Sequence, residues 1–297
     1  MLLTLVVLAR RKTELMGKNR KLLCFVHIEK TAGVTLDYVL RRNFFPCYMD
    51  VRPFSAKSNM RFTAKDLQKA LTINPFLRCI SGHSISAVED LGEVRRNIDY
   101  ITLLRQPVKR YLSYFDYTVR VLGRENTFDN YLQNEDMANF QTKKIAGCAD
   151  VTLAKEILKE HFLLVGIVKE FDAFLLQLRQ QLQPRPFDPL YVRRNVTAQC
   201  LKMAIPKPTD HKKAAAEERN KLDMELYDFV REHILPKQRR EYGPRYDKDL
   251  ERLKLQVATW RPRMLKSYAD YALRKLYYDP MIGVLRLCAG LPYKGSY

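Results

Sequence analysis

The sequence lacks any apolar run long enough to cross a membrane. No stretch of its 297 residues approaches the roughly 20 apolar residues that a transmembrane helix needs. Residues 2–9 are apolar, but basic residues follow them at 10–12, whereas the charges of a secretory signal peptide come first. We therefore expect a cytoplasmic protein, at most associated with the inner membrane face of a bacterium. The Golgi lumen is the alternative location.

The six cysteines form no CxxC pair and have no histidine at the spacing of metal ligands. This scarcity of ligand patterns excludes a zinc ribbon or zinc finger, and we expect mostly buried thiols in a reducing compartment. The chain also lacks internal repeats and Gly/Ser-rich linkers. A solenoid is therefore excluded.

Acidic residues are scarce relative to basic ones. The 33 acidic and 52 basic residues give a formal charge of +19 and a pI near 9.7. Such a charge predicts a polyanionic partner, namely nucleic acid, anionic lipid or an acidic glycan. No RNP string or helix-turn-helix pattern favours nucleic acid among the three.

Apolar strand candidates alternate with helical patterns along the chain. The strand candidates are residues 22–28, 76–80, 99–104 and 162–168. This alternation predicts an α/β fold, a P-loop-like doubly wound parallel sheet flanked by helices, with a helical basic C-terminal extension. The expected parts are a basic lead-in (1–21), a catalytic domain (22–235) and the extension (236–297). Residues 43–61 and 193–213 are predicted as loops, the first of them a lid over the site.

The segment 22–42 combines a buried strand, a tight loop and the start of a helix. Lys30 supplies a mobile positive charge, Thr31 and Thr35 supply hydroxyl groups, and Gly33 lets the backbone approach an anion closely. The N–H groups of the helix start also favour an anion. The lysine precedes the glycine, so this is no Walker A loop. An ordinary strand-to-helix turn with a solvated lysine fits these residues equally well.

A second anion site is predicted at the end of the third strand candidate. Arg105 ends that strand, and Ser113 lies about two turns into the helix that starts near Pro107. A guanidinium group can grip a phosphate with two hydrogen bonds, and a serine hydroxyl can complete the grip.

Two sequence strings carry a resemblance to a known family. Residues 27–35 read HIEKTAGVT, and residues 104–114 read LRQPVKRYLSY. They resemble the 5′-phosphosulfate loop and the 3′-phosphate pattern LRDPVxRxxSxY of the carbohydrate sulfotransferases, the family that includes heparan sulfate 2-O- and 6-O-sulfotransferases. Shorter strings at 139–142 (NFQT), 162–175, 195–197 (NVT) and 222–227 (LDMELY) resemble further family motifs in the same order. Gln106 departs from the aspartate usual in the family.

The resemblance implies a cofactor and the residues that bind it. The cofactor would be 3′-phosphoadenosine 5′-phosphosulfate (PAPS), which leaves as 3′-phosphoadenosine 5′-phosphate (PAP), with no metal required. Lys30 would stabilise the leaving phosphate oxygen as a catalytic group. The remaining cofactor-binding positions are the 5′ cradle of Thr31, Ala32, Gly33, Val34 and Thr35, the 3′-phosphate pair Arg105 and Ser113, and Thr197 in a loop that closes over the nucleotide.

His83 is the candidate general base. It lies just past a strand candidate, where parallel sheets bind ligands, and resembles the catalytic histidine of the family. A polar turn residue that caps the next helix is the competing interpretation. His27 is expected to be a hydrogen-bonded structural residue, and Glu29 is a weaker candidate base.

The predicted reaction is sulfuryl transfer from PAPS to a glycan or polysaccharide hydroxyl, with an amine as the second choice of acceptor. Two alternatives stay open: a P-loop-type nucleotide kinase, and a non-enzymatic protein that binds polyanions or nucleic acid. The kinase alternative leaves Arg105 and Ser113 unexplained. The basic C-terminal helices are expected either to pack over the sheet or to touch a membrane surface.

Overall fold

Five strands form one all-parallel sheet in the order β2-β3-β1-β4-β5. The computed structural model describes residues 21–54, 61–92, 94, 97–192, 209–262 and 264–291, with side chains of 264–267 excepted. The strands are β1 (Leu22–Val26), β2 (Tyr48–Asp50), β3 (Cys79–Gly82), β4 (Ile98–Leu104) and β5 (Phe162–Ile167). Helices flank the sheet, so the predicted α/β class with a parallel sheet is confirmed.

Strand β1 is buried along its whole length, which explains its uninterrupted apolar sequence. It pairs in parallel with β3, with Leu23 opposite Cys79 and Val26 opposite Gly82. Strand β2 pairs with the other side of β3. The carboxyl ends of these strands therefore lie at one edge of the sheet.

Strand β2 lies inside residues 43–61, which the sequence predicted as a loop, and that prediction is wrong for Tyr48–Asp50. Three residues give too short a pattern to reveal a strand, because their only apolar members are Tyr48 and Met49. The pairing of Tyr48 with Cys79 and of Asp50 with Ser81 specifies the strand instead.

Helices occupy the segments between and after the strands. They are α1 (Gly33–Phe44), α2 (Ala64–Ile73), α3 (Pro107–Asp116), α4 (Phe128–Leu132), α5 (Phe140–Ala146), α6 (Val151–Glu160), α7 (Phe171–Gln181), α8 (Asp210–Arg219), α9 (Lys221–Phe229), α10 (Leu235–Tyr242), α11 (Tyr246–Thr259), α12 (Met264–Leu273) and α13 (Asp279–Cys288). π-Helical turns at Tyr117–Val121, Val230–Ile234 and Arg274–Tyr278 extend α3, α9 and α12.

The second predicted loop, 193–213, is helical at its end. Thr209 caps α8 by accepting a hydrogen bond from the Lys212 N–H, so Asp210 and the residues after it belong to a helix. The rest of that predicted loop, 193–208, lies outside the described residues. No helix among the described residues is both long and apolar enough to cross a bilayer.

The chain divides into two compact units. Unit 1 contains Met1–Val26, Leu40–Ile101 and Arg263–Tyr297, and unit 2 contains His27–Val39 and Thr102–Pro262. Residues 236–262 of the predicted extension therefore belong to unit 2, and the remainder to unit 1.

Helices α12 and α13 pack within unit 1 through one face. The Tyr278 hydroxyl donates to the Pro46 carbonyl oxygen (2.8 Å) and accepts from Asn74 Nδ2 (2.7 Å). Arg286 Nη1 donates to the Pro53 carbonyl oxygen (2.7 Å). Leu276 is 81% exposed. This end of the chain thus packs on one side and leaves apolar surface on the other.

Candidate active site

The loop after β1 has an unusual backbone. Lys30 and Ala32 have positive φ angles of 68° and 64°, a conformation that residues other than glycine rarely adopt. The Ala32 carbonyl oxygen accepts from the N–H groups of Thr35 (3.0 Å) and Leu36 (3.2 Å), which joins the loop to α1. Backbone strain of this kind clusters at functional sites.

Thr31 turns its hydroxyl into the protein. The residue is fully buried, and its Oγ1 donates to the Ile28 carbonyl oxygen at 2.8 Å. The Thr31 side chain therefore stabilises the loop by a hydrogen bond within it. Thr35 is also buried, whereas Val34 is 42% exposed. An anion at this loop would meet backbone N–H groups and Lys30 before it met the Thr31 hydroxyl.

Gly33 fills a position where no side chain fits. A Cβ atom there would lie 1.7 Å from His27 Nε2. His27 is buried, and its Nδ1 lies 3.2 Å from Asp37 Oδ2 in α1. The imidazole ring therefore occupies the space beside Gly33 and fixes the identity of that residue.

Lys30 rests on an aromatic ring. Its Nζ lies 4.1 Å from the ring centroid of Tyr117, in the π-helical turn that follows α3. A cation over an aromatic face is attracted by the ring quadrupole. Burial and then the charge of Glu29 raise the pKa of the nearby Tyr114 hydroxyl. The contact with Tyr117 therefore places the Lys30 ammonium group beside the turn that extends α3, the helix that contains Ser113.

Arg105 leaves the end of β4 and reaches the same loop. Its Nη1 donates to the Lys30 carbonyl oxygen at 3.0 Å, across 75 residues of sequence. Burial and the nearby Arg110 guanidinium lower the pKa of Arg105 below its usual value. The fold therefore brings together the two sequence strings that were predicted to bind anions.

Gln141 holds the backbone of Arg105 on both sides. Its Oε1 accepts from the Arg105 N–H (2.9 Å), and its Nε2 donates to the Arg105 carbonyl oxygen (2.9 Å). Gln141 is in turn fixed by Asp223, whose carboxylate accepts from the Gln141 N–H (3.0 Å), the Thr142 N–H (2.7 Å) and the Thr142 hydroxyl (2.8 Å). The strings NFQT and LDMELY meet in this network.

Asn139 joins the network from the other end. Its left-handed backbone (φ 49°) precedes α5, and its Oδ1 accepts from the Leu222 N–H at 2.9 Å. Sequence reasoning gave no role to Asn139, Gln141 or Asp223. The only available signal was that their strings occur in the order of the family motifs.

Gln106 caps the start of α3. Its Oε1 accepts from the Lys109 N–H at 2.8 Å and so caps α3. Aspartate is a common residue at this helix position, and the longer glutamine side chain reaches the same donor. The departure from the family pattern thus leaves the helix start capped.

Arg110 and Ser113 follow on α3. Ser113 is half-buried, and Arg110 is fully buried with its guanidinium 4.7 Å from the Phe140 ring centroid. Arg110 Nη2 donates to the Met137 carbonyl oxygen at 3.3 Å. Within the described part of the chain, Arg110 Nε and Nη1 have no hydrogen-bond partner. This buried positive charge lies close enough to Arg105 to affect its pKa.

His83 follows β3 directly, in unit 1, and is half-buried. Strand β3 ends at Gly82, which pairs with Val26 at the end of β1. His83 therefore follows the carboxyl end of a strand, as the sequence predicts.

Thr197, the remaining predicted residue, lies outside the described residues. No group of three metal-ligating side chains occurs within the described ranges.

Neither a protein-family model nor a curated protein matches the chain.

Proposed function

We propose that the chain is a PAPS-dependent sulfotransferase that moves a sulfuryl group to a hydroxyl of a glycan or polysaccharide, with an amine as the second choice. One observation carries the proposal. The hydrogen bond from Arg105 Nη1 to the Lys30 carbonyl oxygen, across 75 residues, joins the two strings that the sequence predicts to bind anions. A nucleotide with anionic groups at both ends of its nucleoside needs two such neighbouring sites.

The loop after β1 fits an anionic group. Gly33 accommodates the close approach of the His27 ring, and the positive φ angles of Lys30 and Ala32 shape a tight turn into α1. The first N–H groups of a helix lack partners within the helix and attract anions. Lys30 adds a full positive charge beside them. This chemistry suits a phosphosulfate group.

The strand order supports a P-loop-like arrangement. The chain leaves β1 toward β2 on one side of the sheet, and leaves β4 toward β5 on the other. Ligands of open α/β sheets bind at the carboxyl ends of strands where this direction reverses. Lys30 follows β1 and Arg105 follows β4, so both residues lie at such a point.

The residues then have separate tasks. When bound, PAPS supplies an activated sulfuryl group on its 5′-phosphate. Lys30 would stabilise the negative charge on the 5′-phosphate oxygen as its bond to sulfur breaks and the acceptor oxygen bonds to sulfur. Arg105 and Ser113 would hold the 3′-phosphate, and an imidazole nitrogen of His83 would accept the proton of the acceptor hydroxyl.

The acceptor class follows from the charge of the chain. A formal charge of +19 attracts acidic chains over distances up to the Debye length, about 8 Å at physiological salt. We therefore place acidic polysaccharides ahead of neutral glycans as acceptors.

The test is sulfate transfer from radiolabelled PAPS to a panel of acidic and neutral polysaccharides. Lys30→Ala and Arg105→Ala should each reduce transfer to near the background rate. Lys109→Ala removes an exposed lysine from α3 and should leave the rate unchanged. A near-normal rate in Lys30→Ala or Arg105→Ala would refute the assigned roles. Absence of transfer by the unaltered protein to every acceptor would count against the reaction.

A further inference from the structure

We infer that Gln141, anchored by Asp223, is the residue that positions Arg105 for the 3′-phosphate of the nucleotide. This inference rests on the proposed function. The hydrogen bonds of the Gln141 side chain go to the Arg105 backbone, and its assigned role involves no contact with the nucleotide. Gln141 is a positioning residue whose effect passes through the backbone of Arg105.

The side-chain amide of Gln141 pairs with the backbone of Arg105 much as a neighbouring strand would, through one donated and one accepted hydrogen bond. Arg105 comes one residue after the end of β4, and both hydrogen bonds to its backbone come from Gln141, each 2.9 Å long. Two hydrogen bonds from one planar amide fix the position and the rotation of the Arg105 peptide groups. Gln141 is itself fully buried, which limits the access of water to its side-chain amide.

Asp223 holds Gln141 in place. We call the pair of hydrogen bonds between Gln141 and the Arg105 backbone the clamp. The Asp223 carboxylate lies fully buried and accepts three hydrogen bonds from Gln141 and Thr142. Burial raises the pKa of the Asp223 carboxyl, whereas the charge of Arg110 and these hydrogen bonds oppose that rise. A side chain with this many buried partners has one preferred arrangement. The start of α5 is thereby tied to α9.

Arg105 needs the hydrogen bonds from Gln141 because its surroundings disfavour a positive charge. Burial and the neighbouring Arg110 both disfavour its charge. Its described side-chain contact is with a carbonyl oxygen, that of Lys30. A bound phosphate would relieve this accumulation of positive charge, provided that the guanidinium is held in place to meet it.

The clamp therefore contributes to specificity for nucleotides that carry a 3′-phosphate. The relevant quantity is the affinity gained from that phosphate, measured as the ratio of the dissociation constants of AMP and PAP. We expect Gln141 to affect this ratio and to leave AMP binding nearly unchanged. The loop after β1 keeps its own internal hydrogen bonds at Thr31 and Ala32.

The experiment is calorimetric titration of the full chain and its variants with PAP and with AMP. Gln141→Leu keeps a similar volume and removes both hydrogen bonds to Arg105. We expect the AMP-to-PAP ratio to fall by roughly tenfold or more, with AMP affinity within about threefold of the unaltered protein. Gln141→Glu is the second variant, since it keeps an acceptor for the Arg105 N–H and should give a smaller loss. Gln133→Leu alters an exposed glutamine and serves as the control.

Three results would overturn the inference. Equal losses of AMP and PAP affinity in both Gln141 variants would show that the clamp only maintains the fold. An unchanged ratio in both variants would show that Arg105 needs no clamp. If the unaltered protein gains no affinity from the 3′-phosphate, the proposed function fails and this inference with it. The first two results leave the proposed function standing, so the two failures are distinguishable.

Discussion

At the scale of single residues, Gly33 and the His27 ring share a space that has no room for an added methyl group. The space closes because β1 ends at Val26 and the next residue turns its ring under the start of α1. The sequence identified Gly33 as a point of close approach. It gave no sign that a histidine six residues earlier creates the requirement, because that contact depends on the path of the loop.

Gly33→Ala should weaken PAP binding through this overlap. The added Cβ would meet His27 Nε2 at 1.7 Å, so either the ring or the loop must move. We expect PAP affinity to fall by roughly tenfold or more, measured by calorimetry. The double variant Gly33→Ala/His27→Ala removes the ring and should recover part of the loss. If the single variant binds PAP normally, the loop does not form the cofactor site.

His83→Ala should separate binding from transfer. Removal of a positioned general base typically costs about 10²–10⁴-fold in rate, while a residue that only receives a proton contributes little to nucleotide affinity. We expect PAP affinity within about threefold of the unaltered protein and a transfer rate reduced in that range. His161→Ala, at an exposed position, is the control. A normal transfer rate in His83→Ala would place the base elsewhere, with Glu29 the next candidate.

At the scale of elements, the start of α2 is a feature that local sequence can predict. Thr63 accepts a hydrogen bond from the Asp66 N–H, and Asp66 accepts from the Thr63 N–H, which is a capping box. Asp66 Oδ1 also accepts from the Phe54 N–H at 2.7 Å, a contact that sequence spacing could not show. The cap thus connects the helix to the segment after β2.

Thr63→Ala should lower the free energy of unfolding by about 1 kcal/mol, because it removes the side-chain half of the capping box. Urea denaturation of both proteins measures the difference. Thr72→Ala is a matched control on the exposed side of the same helix, where alanine favours helix formation. Equal stability of Thr63→Ala and the unaltered protein would show that the cap contributes nothing.

Other elements could not be read from the sequence. Residues 126–146 have a continuous polar, helical composition, yet they form α4, a 3₁₀ turn at Glu135–Met137 and α5. The break comes at Asn139, whose left-handed backbone is stabilised by a hydrogen bond from Leu222. Strand β2 likewise depends on a partner strand. Long-range contacts decide both elements, and local patterns cannot supply them.

At the scale of the whole molecule, the sequence predicted the class of fold and singled out the two strings that the Arg105–Lys30 hydrogen bond joins. Both predictions rest on local patterns, namely buried strands followed by turns with Lys30 or Arg105. The support for Arg105 was not predictable, since it comes from Gln141 and from Asp223 82 residues further on. The division into two units was also hidden, because each unit combines distant stretches of chain.

We propose that the chain binds a nucleotide by both its 3′- and 5′-anionic groups. Calorimetric titration of the unaltered protein with PAP, AMP and ATP, with and without Mg²⁺, tests it most directly. We expect tight binding of PAP that does not depend on Mg²⁺ and that weakens markedly when the 3′-phosphate is absent. Preference for ATP with Mg²⁺ would indicate a kinase, and no binding of any of the three nucleotides would indicate a polyanion-binding protein. Either result would contradict the account.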